Sequence, residues 1–250
     1  MFRSKRPLAM FLSWALAVSW VPYAAFAAPP YATGERLVYD VSWYGVSAGS
    51  LVMEVKIETL QDQPVYHITS TTQSNSVIGL LYPIHDFVES FLGRESLTPY
   101  RMRSKLHENR YRADREILFD WEKQVATLVD HRKDGKPESY PISPLTQDPI
   151  SVVYYYRTLP MEVGKVTELD VFDGHKNSKL VIDIIKKEKI STPVGAFDTY
   201  KTTARMKFKG FFVHKGDLTI WFSDDEKRTP VLIESKIKIG RIVATLVKME

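Results

Sequence analysis

Apolar and polar residues alternate along most of the chain, and this period of two constrains the fold more than any other feature. In residues 36–44 and 51–58, apolar side chains occupy every second position, and most of the positions between them are charged or polar. Successive side chains point to opposite faces of a β-strand, whereas a helix needs apolar residues three and four positions apart. The pattern therefore predicts strands with one buried face. The clearest apolar positions are Leu37, Tyr39, Val41, Trp43, Leu51, Met53, Val55, Ile57, Val231 and Ile233.

Short turn sequences rich in Gly, Pro and Asp separate these runs at the spacing of hairpins. We count about a dozen strands on this basis, and a sheet of that size has to curl or close. One segment differs, because Asp148 can cap a helix with Pro149 in its first turn. Residues 74–83 are compatible with a loop that contains one helical turn. The sequence predicts a mainly β domain, a large curved antiparallel meander forming a half-open or closed barrel, with one short helix near 149–158.

The first 27 residues have the pattern of a secretory signal peptide. Basic side chains at positions 3, 5 and 6 precede an apolar stretch over residues 8–21, and Ala25-Phe26-Ala27 supplies the small residues that signal peptidase accepts. The apolar stretch of about 14 residues is too short to span a bilayer, which takes about 20. We therefore expect cleavage after Ala27 and a single β-rich domain over residues 28–250. We expect that domain in the periplasm of a Gram-negative bacterium.

The chain contains no cysteine. This excludes a disulfide scaffold, a thiol nucleophile, and a zinc–thiolate or iron–sulfur site. We also expect that the protein is not a lipoprotein, because the lipid of a lipoprotein is attached to a cysteine at the cleavage point. The formal net charge of +4 becomes +1 once the three basic residues of the signal are removed. An exported protein of nearly neutral charge is not expected to bind nucleic acid.

Three groups of residues resemble catalytic or metal sites, but none has the context that such a site needs. Gly45–Gly49 fits G-x-S-x-G, which requires a strand-to-helix turn, yet it joins two alternating runs and predicts a hairpin. The six histidines lack ligand spacing. Asp224-Asp225 predicts a turn in which Asp side chains bind backbone amides, with Arg228 as a candidate partner. We predict no catalytic residue, metal or cofactor. Convergence of three or more of these residues would instead indicate a hydrolase: Asp40, His85, Asp86, Asp148, Asp224 and Asp225.

Basic side chains recur at every second position from residue 101, so they are predicted to share one strand face. Two interpretations are open. The face is an anion surface for lipid headgroups or another envelope polyanion, or it is a solvated outer face that protects a long strand from aggregation. The candidate residues are Arg101, Arg103, Lys105, Arg110 and Arg112.

Aromatic side chains are the candidates for a ligand site. They either pack a core or line a cavity, since a barrel with a wide interior often keeps an apolar site. An acyl chain of about 14 methylenes gains on the order of 11 kcal/mol on burial, before the costs of association. Such a site leaves no catalytic motif in a sequence. The candidate residues are Trp43, Tyr82, Phe87, Phe91, Tyr154, Phe212 and Trp221.

Several segments together resemble the bacterial family known as domain of unknown function 3108. They are residues 34–49, Asp148 with Ser151, Tyr154 to Arg157, residues 192–197 and residues 221–231. The resemblance runs in order over nearly all of residues 34–247. It implies an exported, β-rich envelope protein of Gram-negative bacteria and no established activity, so no functional residue carries over. By analogy of fold alone, such sheets resemble periplasmic lipoprotein carriers, which hold acyl chains in a half-barrel.

Three functions follow from these features. The first is a non-enzymatic periplasmic envelope protein that binds a lipid-like or apolar ligand, such as an acyl chain, in a curved sheet, with membrane contact that is peripheral at most. The second is a structural or interaction module that binds an envelope protein partner and has no ligand cavity. The third is a hydrolase with an unrecognised site. An apolar cavity inside the sheet would favour the first.

Overall fold

The computed structural model describes residues 29–133, 135–208, 211–212, 218–237 and 240–250, with backbone alone at 207–208 and 211–212. The expected signal peptide, its cleavage position and the side chain of Phe212 lie outside this description. The strands of the first half are β1 (Arg36–Trp43), β2 (Val46–Leu60), β3 (Gln63–Ser74), β4 (His85–Gly93), β5 (Pro99–Glu108), β6 (Tyr111–Asp120), β7 (Val125–Asp130) and β8 (Glu138–Pro141). Those of the second half are β9 (Val166–Phe172), β10 (Asn177–Thr192), β11 (Gly195–Phe208), β12 (Phe211–Phe212), β13 (Leu218–Ser223), β14 (Pro230–Lys236) and β15 (Arg241–Met249). The helices are α1 (Ser76–Leu81) and α2 (Ser151–Thr158).

One antiparallel sheet is built from two meanders. The first strand of one meander and the last strand of the other pair in the middle of the sheet. Strands β1 to β8 pair in sequence order, as do β9, β10, β11, β13, β14 and β15, and β15 pairs with β1. The short strand β12 pairs with β11 outside this path. Within the described residues no ladder joins β8 to β9, so the sheet is not closed. The predicted antiparallel meander is confirmed, in its half-open form.

The two faces of the sheet differ in what covers them, and we call the face against which α2 packs the inner face. Cross-strand register places Tyr39, Leu51 and Leu246 side by side on this face. Leu37, Tyr39 and Ile68 are completely buried there, and the Tyr39 hydroxyl donates to the carbonyl oxygen of Pro230 at 2.7 Å. The alternation seen in the sequence thus separates a buried inner face from a charged outer one.

Helix α2 lies where the chain returns from one edge of the sheet to the other. β8 and β9 are the two edge strands, and the segment that joins them carries α2 across the inner face. The prediction of one helix near 149–158 is confirmed, with the helix starting at Ser151. Its buried residues are Ser151, Val152, Tyr154, Tyr156 and Arg157.

Helix α1 is the second helix, and it forms where the sequence predicted a loop with one helical turn. The side chain of Asn75 caps it by accepting a hydrogen bond from the backbone N–H of Ile78 at 2.9 Å. None of its residues is buried, although its sequence is mostly apolar. Over the described part of the chain, neither helix is long and apolar enough to cross a bilayer.

Candidate functional site

The turn before α2 fixes where this helix starts on the inner face. Asp148 is completely buried, and its Oδ1 accepts hydrogen bonds from the backbone N–H groups of Ile150 (2.9 Å) and Ser151 (2.8 Å). Its Oδ2 accepts a third from the Ser90 hydroxyl on β4 at 2.5 Å. Burial raises the pKa of Asp148 above its ordinary value, although these hydrogen bonds act in the opposite direction. The side chain ties the first turn of α2 to β4.

A buried ion pair fixes the other end of α2. Arg157 donates two hydrogen bonds of 2.7 Å to the carboxylate of Glu35, one from each terminal nitrogen. It also donates to the carbonyl oxygen of Lys227, and its guanidinium carbon lies 5.3 Å from the ring centres of Tyr31 and Tyr154. Arg157 is completely buried, and a buried charge is tolerated when it is paired and hydrogen-bonded in this way.

Between these two anchors, α2 leaves a gap against β10, β11 and β13. The gap is an apolar pocket of about 230 Å³ that is partly open to solvent. Among its lining residues, Pro149 and Asp173 are exposed, Leu180, Met206 and Leu218 are half-buried, and Tyr156 and Phe222 are buried. The other lining residues are Val152, Val153, Val171, Ile182, Thr202, Ala204 and Ile220.

One residue of the lining, Tyr156, carries a buried polar atom with an unused hydrogen-bonding capacity. Tyr156 is 2% exposed, and its hydroxyl has no hydrogen-bond partner among the described residues. Burial raises the pKa of Tyr156 to about 12, so the hydroxyl keeps its proton at neutral pH. The other hydroxyl of the lining, that of Thr202, already donates to the carbonyl oxygen of Ile220 at 2.9 Å. Besides the exposed carboxylate of Asp173, the Tyr156 hydroxyl is the polar group of the lining that is left to bind a polar atom of a ligand.

The structure does not bring the seven predicted aromatic residues together. Phe87 and Phe91 lie on the outer face of β4, where Phe91 stacks on the imidazole of His67 with ring centres 4.3 Å apart. Trp221 is buried, with 5% of its surface exposed, and it lies on the face of β13 opposite Ile220 and Phe222, which line the pocket. Its indole N–H donates to Glu188 at 2.8 Å.

The other predicted aromatic residues are spread over the core and one end of the sheet. Tyr154 is buried on α2, where its ring packs edge-on against Tyr31 at 5.1 Å and fills the core beside the ion pair. Trp43 and Tyr82 are 39% and 45% exposed, at the end of β1 and just after α1. The side chain of Phe212 lies outside the described residues. Of the seven, Tyr154 alone lies on α2, and it is not part of the pocket lining.

The basic residues predicted to alternate on one strand do share the outer face of β5 and β6, together with acidic partners. Arg101 Nε lies 2.6 Å from Glu116 Oε1, and Arg103 donates two hydrogen bonds to Asp114 at 3.1 and 3.2 Å. The hydrogen bond from Arg103 lowers the pKa of Asp114. Lys105, Arg110 and Arg112 are exposed, and Arg112 donates to the backbone carbonyls of Asn109 and Tyr111. This face is a ladder of ion pairs with basic residues at its end.

The residues weighed as a hydrolytic site do not converge. Asp86 accepts from the backbone N–H of His107, and His85 contacts Gln73. Asp224 binds Lys187, while Asp40 binds Ser47 at 2.5 Å on the β1–β2 hairpin. Nowhere in the described ranges do three or more His, Asp or Glu side chains form a group that could hold a metal ion.

Asp225 has the turn role predicted for it. Its Oδ1 accepts hydrogen bonds from the backbone N–H groups of Lys227 and Arg228, both at 3.0 Å, and from the Ser223 hydroxyl at 2.7 Å. The Arg228 guanidinium, named as a candidate partner, instead donates to the backbone carbonyls of Arg157 and Leu159. It helps to hold the last turn of α2.

The G-x-S-x-G segment forms a hairpin, as its flanking alternation predicted. Gly45 has a φ of +78° in the turn, a conformation that glycine adopts without cost. At Gly49 a Cβ atom would lie 2.0 Å from the carbonyl oxygen of Gln73 on β3. Both glycines serve backbone geometry, and the strand continues after them instead of turning into a helix.

Sequence reasoning missed the residues that form the pocket, because it selected aromatic side chains. The pocket depends as much on small ones: Thr202 and Ala204 on β11 leave room opposite α2. They alternate with the charged residues Lys201 and Arg205, so the sequence places Thr202 and Ala204 on one face of β11. It does not say that this face is the inner one, nor that α2 lies above it.

Comparison with known proteins identifies a family and a fold. Residues 38–247 match the family described as "Protein of unknown function (DUF3108)". No curated protein shows a significant match. A beta-barrel-like protein of domain of unknown function DUF1849 from Brucella abortus superposes with a TM-score of 0.60 at 10% identity, over 87% of this chain and 97% of that chain. This similarity supports the barrel-like, mainly β architecture and nothing further.

Two other solved structures are similar over the same length at much lower scores. A Bacteroides fragilis protein with a YmcC-like fold has a TM-score of 0.34 at 13% identity, over 88% of this chain and 97% of that chain. A Parabacteroides distasonis protein has a TM-score of 0.33 at 14% identity, over 88% and 97%.

Proposed function

This chain belongs to the DUF3108 family of proteins of unknown function, and we propose that it is a non-enzymatic protein of the bacterial cell envelope that binds an apolar or lipid-like ligand. The observation that carries the proposal is the partly open apolar pocket between α2 and the inner face of β10, β11 and β13. Apolar pockets with few polar groups are the usual form of small-molecule sites. Placement in the periplasm rests on the pattern of residues 1–27.

The pocket volume limits what the ligand places inside. Cavities of about 150 Å³ lined by Leu, Ile and Phe bind benzene, so the 230 Å³ here corresponds to about nine non-hydrogen atoms. A chain of 14 methylenes is too long to be enclosed. The ligand is therefore one whose apolar end enters the pocket and whose remainder leaves past Leu180, Met206 and Leu218.

The lining also selects for one polar atom near the buried end of the ligand. The Tyr156 hydroxyl is buried without a hydrogen-bond partner among the described residues, and leaving such a group unpaired costs about 1–3 kcal/mol. A ligand oxygen that accepts a hydrogen bond from this hydroxyl removes that penalty. An ester, ketone or hydroxyl oxygen within the inserted part satisfies this requirement, whereas a charged headgroup does not suit an apolar wall.

A pocket-filling substitution tests the proposal. Ala204→Leu adds three carbon atoms to a wall of the pocket, and we expect it to weaken binding of the fluorescent probe N-phenyl-1-naphthylamine by about tenfold or more, since each methylene excluded from burial is worth about 0.8 kcal/mol. The measurement is a fluorescence titration, together with circular dichroism to show that the variant is folded.

The matched control is Ala196→Leu, which adds the same atoms at an exposed position near the start of β11. It should bind the probe as the wild type does. Native mass spectrometry of protein released gently from cells should show an adduct on the wild type and on Ala196→Leu, and a reduced one on Ala204→Leu. Equal probe binding by both variants, or bare mass in every sample, contradicts the proposal.

A further inference from the structure

Because of the strand directions, several turns lie at one end of the sheet, which we call the α1 end. The backbone N–H of Asn75, just before α1, donates to the carbonyl oxygen of Ala48 at 2.8 Å, and its side chain donates to that of Ser47, also at 2.8 Å. The backbone N–H of Asn109 in the β5–β6 turn donates to the carbonyl oxygen of Pro83 at 2.7 Å. A Cβ atom at Gly240 would lie 2.6 Å from the ring of Tyr44. These contacts place α1 and the β1–β2, β5–β6 and β14–β15 turns side by side.

This end exposes an unusual amount of apolar surface. Leu80 and Leu81 are 87% and 82% exposed, and Val77 is 70% exposed. A helix that is apolar and has no buried residue gains nothing from the core, and contiguous exposed apolar surface marks an interaction site. The residues that we call the apolar rim are Tyr44, Val46, Val77, Leu80, Leu81 and Tyr82.

The charges of the two ends of the sheet differ. Among the described residues, the turns at the α1 end carry five basic residues, Arg110, Arg132, Lys133, Lys136 and Lys176, and one acidic residue, Asp173. The turns at the opposite end carry six acidic residues, Asp62, Glu95, Glu122 and residues 224–226, and four basic ones, Arg94, Lys123, Lys227 and Arg228. The apolar rim therefore lies at the end of the sheet whose described turns have a net positive charge.

We propose that the apolar rim docks on an anionic phospholipid bilayer, with the basic turns beside it facing the headgroups. Exposed Leu and Val insert into the acyl boundary, Tyr side chains suit the interface between water and lipid, and each nearby Lys or Arg adds electrostatic attraction. A bilayer provides both partners that this surface offers, an apolar layer and a negative charge. An apolar rim alone would fit a protein partner as well as a bilayer. The difference in charge between the two ends of the sheet favours the bilayer.

The α1 end is also the side on which the ligand pocket opens. The half-buried lining residues Leu180, Met206 and Leu218 lie toward the β9–β10 turn and the start of β13, which are at this end. Docking would therefore bring the pocket mouth toward the bilayer. The docking surface itself does not depend on the proposed ligand, because none of its residues lines the pocket.

Vesicle flotation of the mature protein, residues 28–250, tests this proposal. We expect binding to vesicles of equal parts phosphatidylglycerol and phosphatidylethanolamine, weaker binding to phosphatidylcholine, and partial release by salt because screening weakens attraction between exposed charges. The double variant Leu80→Asp/Leu81→Asp should lose about tenfold or more in partitioning, since two apolar side chains no longer insert. Arg132→Gln/Lys133→Gln should weaken binding to anionic vesicles alone.

The matched controls lie at the opposite end of the sheet. Val166→Asp replaces an exposed apolar residue at the start of β9, and Lys123→Gln an exposed base in the β6–β7 turn; both should float as the wild type does. Ala204→Leu should also float while it loses the naphthylamine probe, so the two proposals can fail separately. The docking proposal is overturned if folded wild-type protein does not float or if Leu80→Asp/Leu81→Asp floats equally. It is also overturned if the wild type is a dimer that does not bind vesicles and these two substitutions dissociate the dimer.

Discussion

At the scale of single residues, the fold is held by a few fully satisfied polar groups around α2. Arg157 and Glu35 are 122 positions apart in the chain and form a two-hydrogen-bond pair in the core. Asp148 holds the other end of the helix to Ser90. Such groups add little net stability while they are paired, but each becomes a large cost when its partner is removed. They fix the position of α2, and with it the shape of the pocket.

Breaking the buried pair should therefore be far more costly than breaking an exposed one. We expect Glu35→Gln to lower the free energy of unfolding by about 3–5 kcal/mol, because the Arg157 charge is left buried and uncompensated. Glu54→Gln, which removes the partly exposed pair with Arg36, should cost less than about 1 kcal/mol. Urea denaturation followed by circular dichroism measures both. Similar losses in the two variants would show that the buried pair is dispensable.

At the scale of elements, strand pairing depends on close backbone approach at one glycine. Gly49 on β2 is paired with Ser74 on β3, and a Cβ atom there would overlap the carbonyl oxygen of Gln73. Backbone atoms cannot move aside as a flexible side chain does, so the strands must separate locally to admit it. This close approach of the two backbones explains why the second glycine of the G-x-S-x-G segment is needed, although the segment forms no nucleophile elbow.

Gly49→Ala should consequently destabilise the β2–β3 pairing. We expect a loss of about 1–3 kcal/mol in the free energy of unfolding, the usual cost of forcing an extra carbon into a packed site. Gly135→Ala is the control, because nothing lies within 4 Å of its added Cβ atom and its φ is not positive. Thermal denaturation compares the two variants. A Gly49→Ala protein as stable as the control would contradict the close approach.

At the scale of the whole molecule, the sheet is open, and the strands nearest the two ends of the chain lie in its middle. β1 and β15 pair with one another, while β8 and β9, from the centre of the sequence, form the edges. Between these two edges, α2 and its flanking residues cover the inner face, and no further described strand lies there. The pocket lies between α2 and strands β10, β11 and β13, on the inner face of this open sheet.

Hydrogen exchange should reveal this arrangement directly. We expect amides of β1 and β15 to exchange slowest, since they open only with the whole sheet, and amides of β8 to exchange fastest, as in an edge strand of four residues. Exchange detected by mass spectrometry of peptic peptides makes the comparison. Equal protection of β8 and β1 would mean that the edges are paired and the barrel is closed.

Much of the fold was predictable because it depends on local patterns. Period-two alternation separated the two faces of each strand, turn residues marked the hairpins, and Asp148 with Pro149 marked the start of the helix segment. Alternation does not say which face of a strand becomes the inner one, however. Phe87 and Phe91 were selected for their aromatic rings, and the inner face of β4 is formed by their neighbours Val88 and Leu92.

The sequence by itself determined a mainly β chain, an antiparallel meander and one helix after Asp148, because the side-chain period and turn chemistry act between near neighbours. Only the tertiary structure decided that β1 pairs with β15, that Glu35 meets Arg157, and that α2 leaves a pocket beside Thr202 and Ala204. These contacts join residues far apart in the chain, and many pairings satisfy the same local pattern. Packing of α2 on one face of the sheet selects among them.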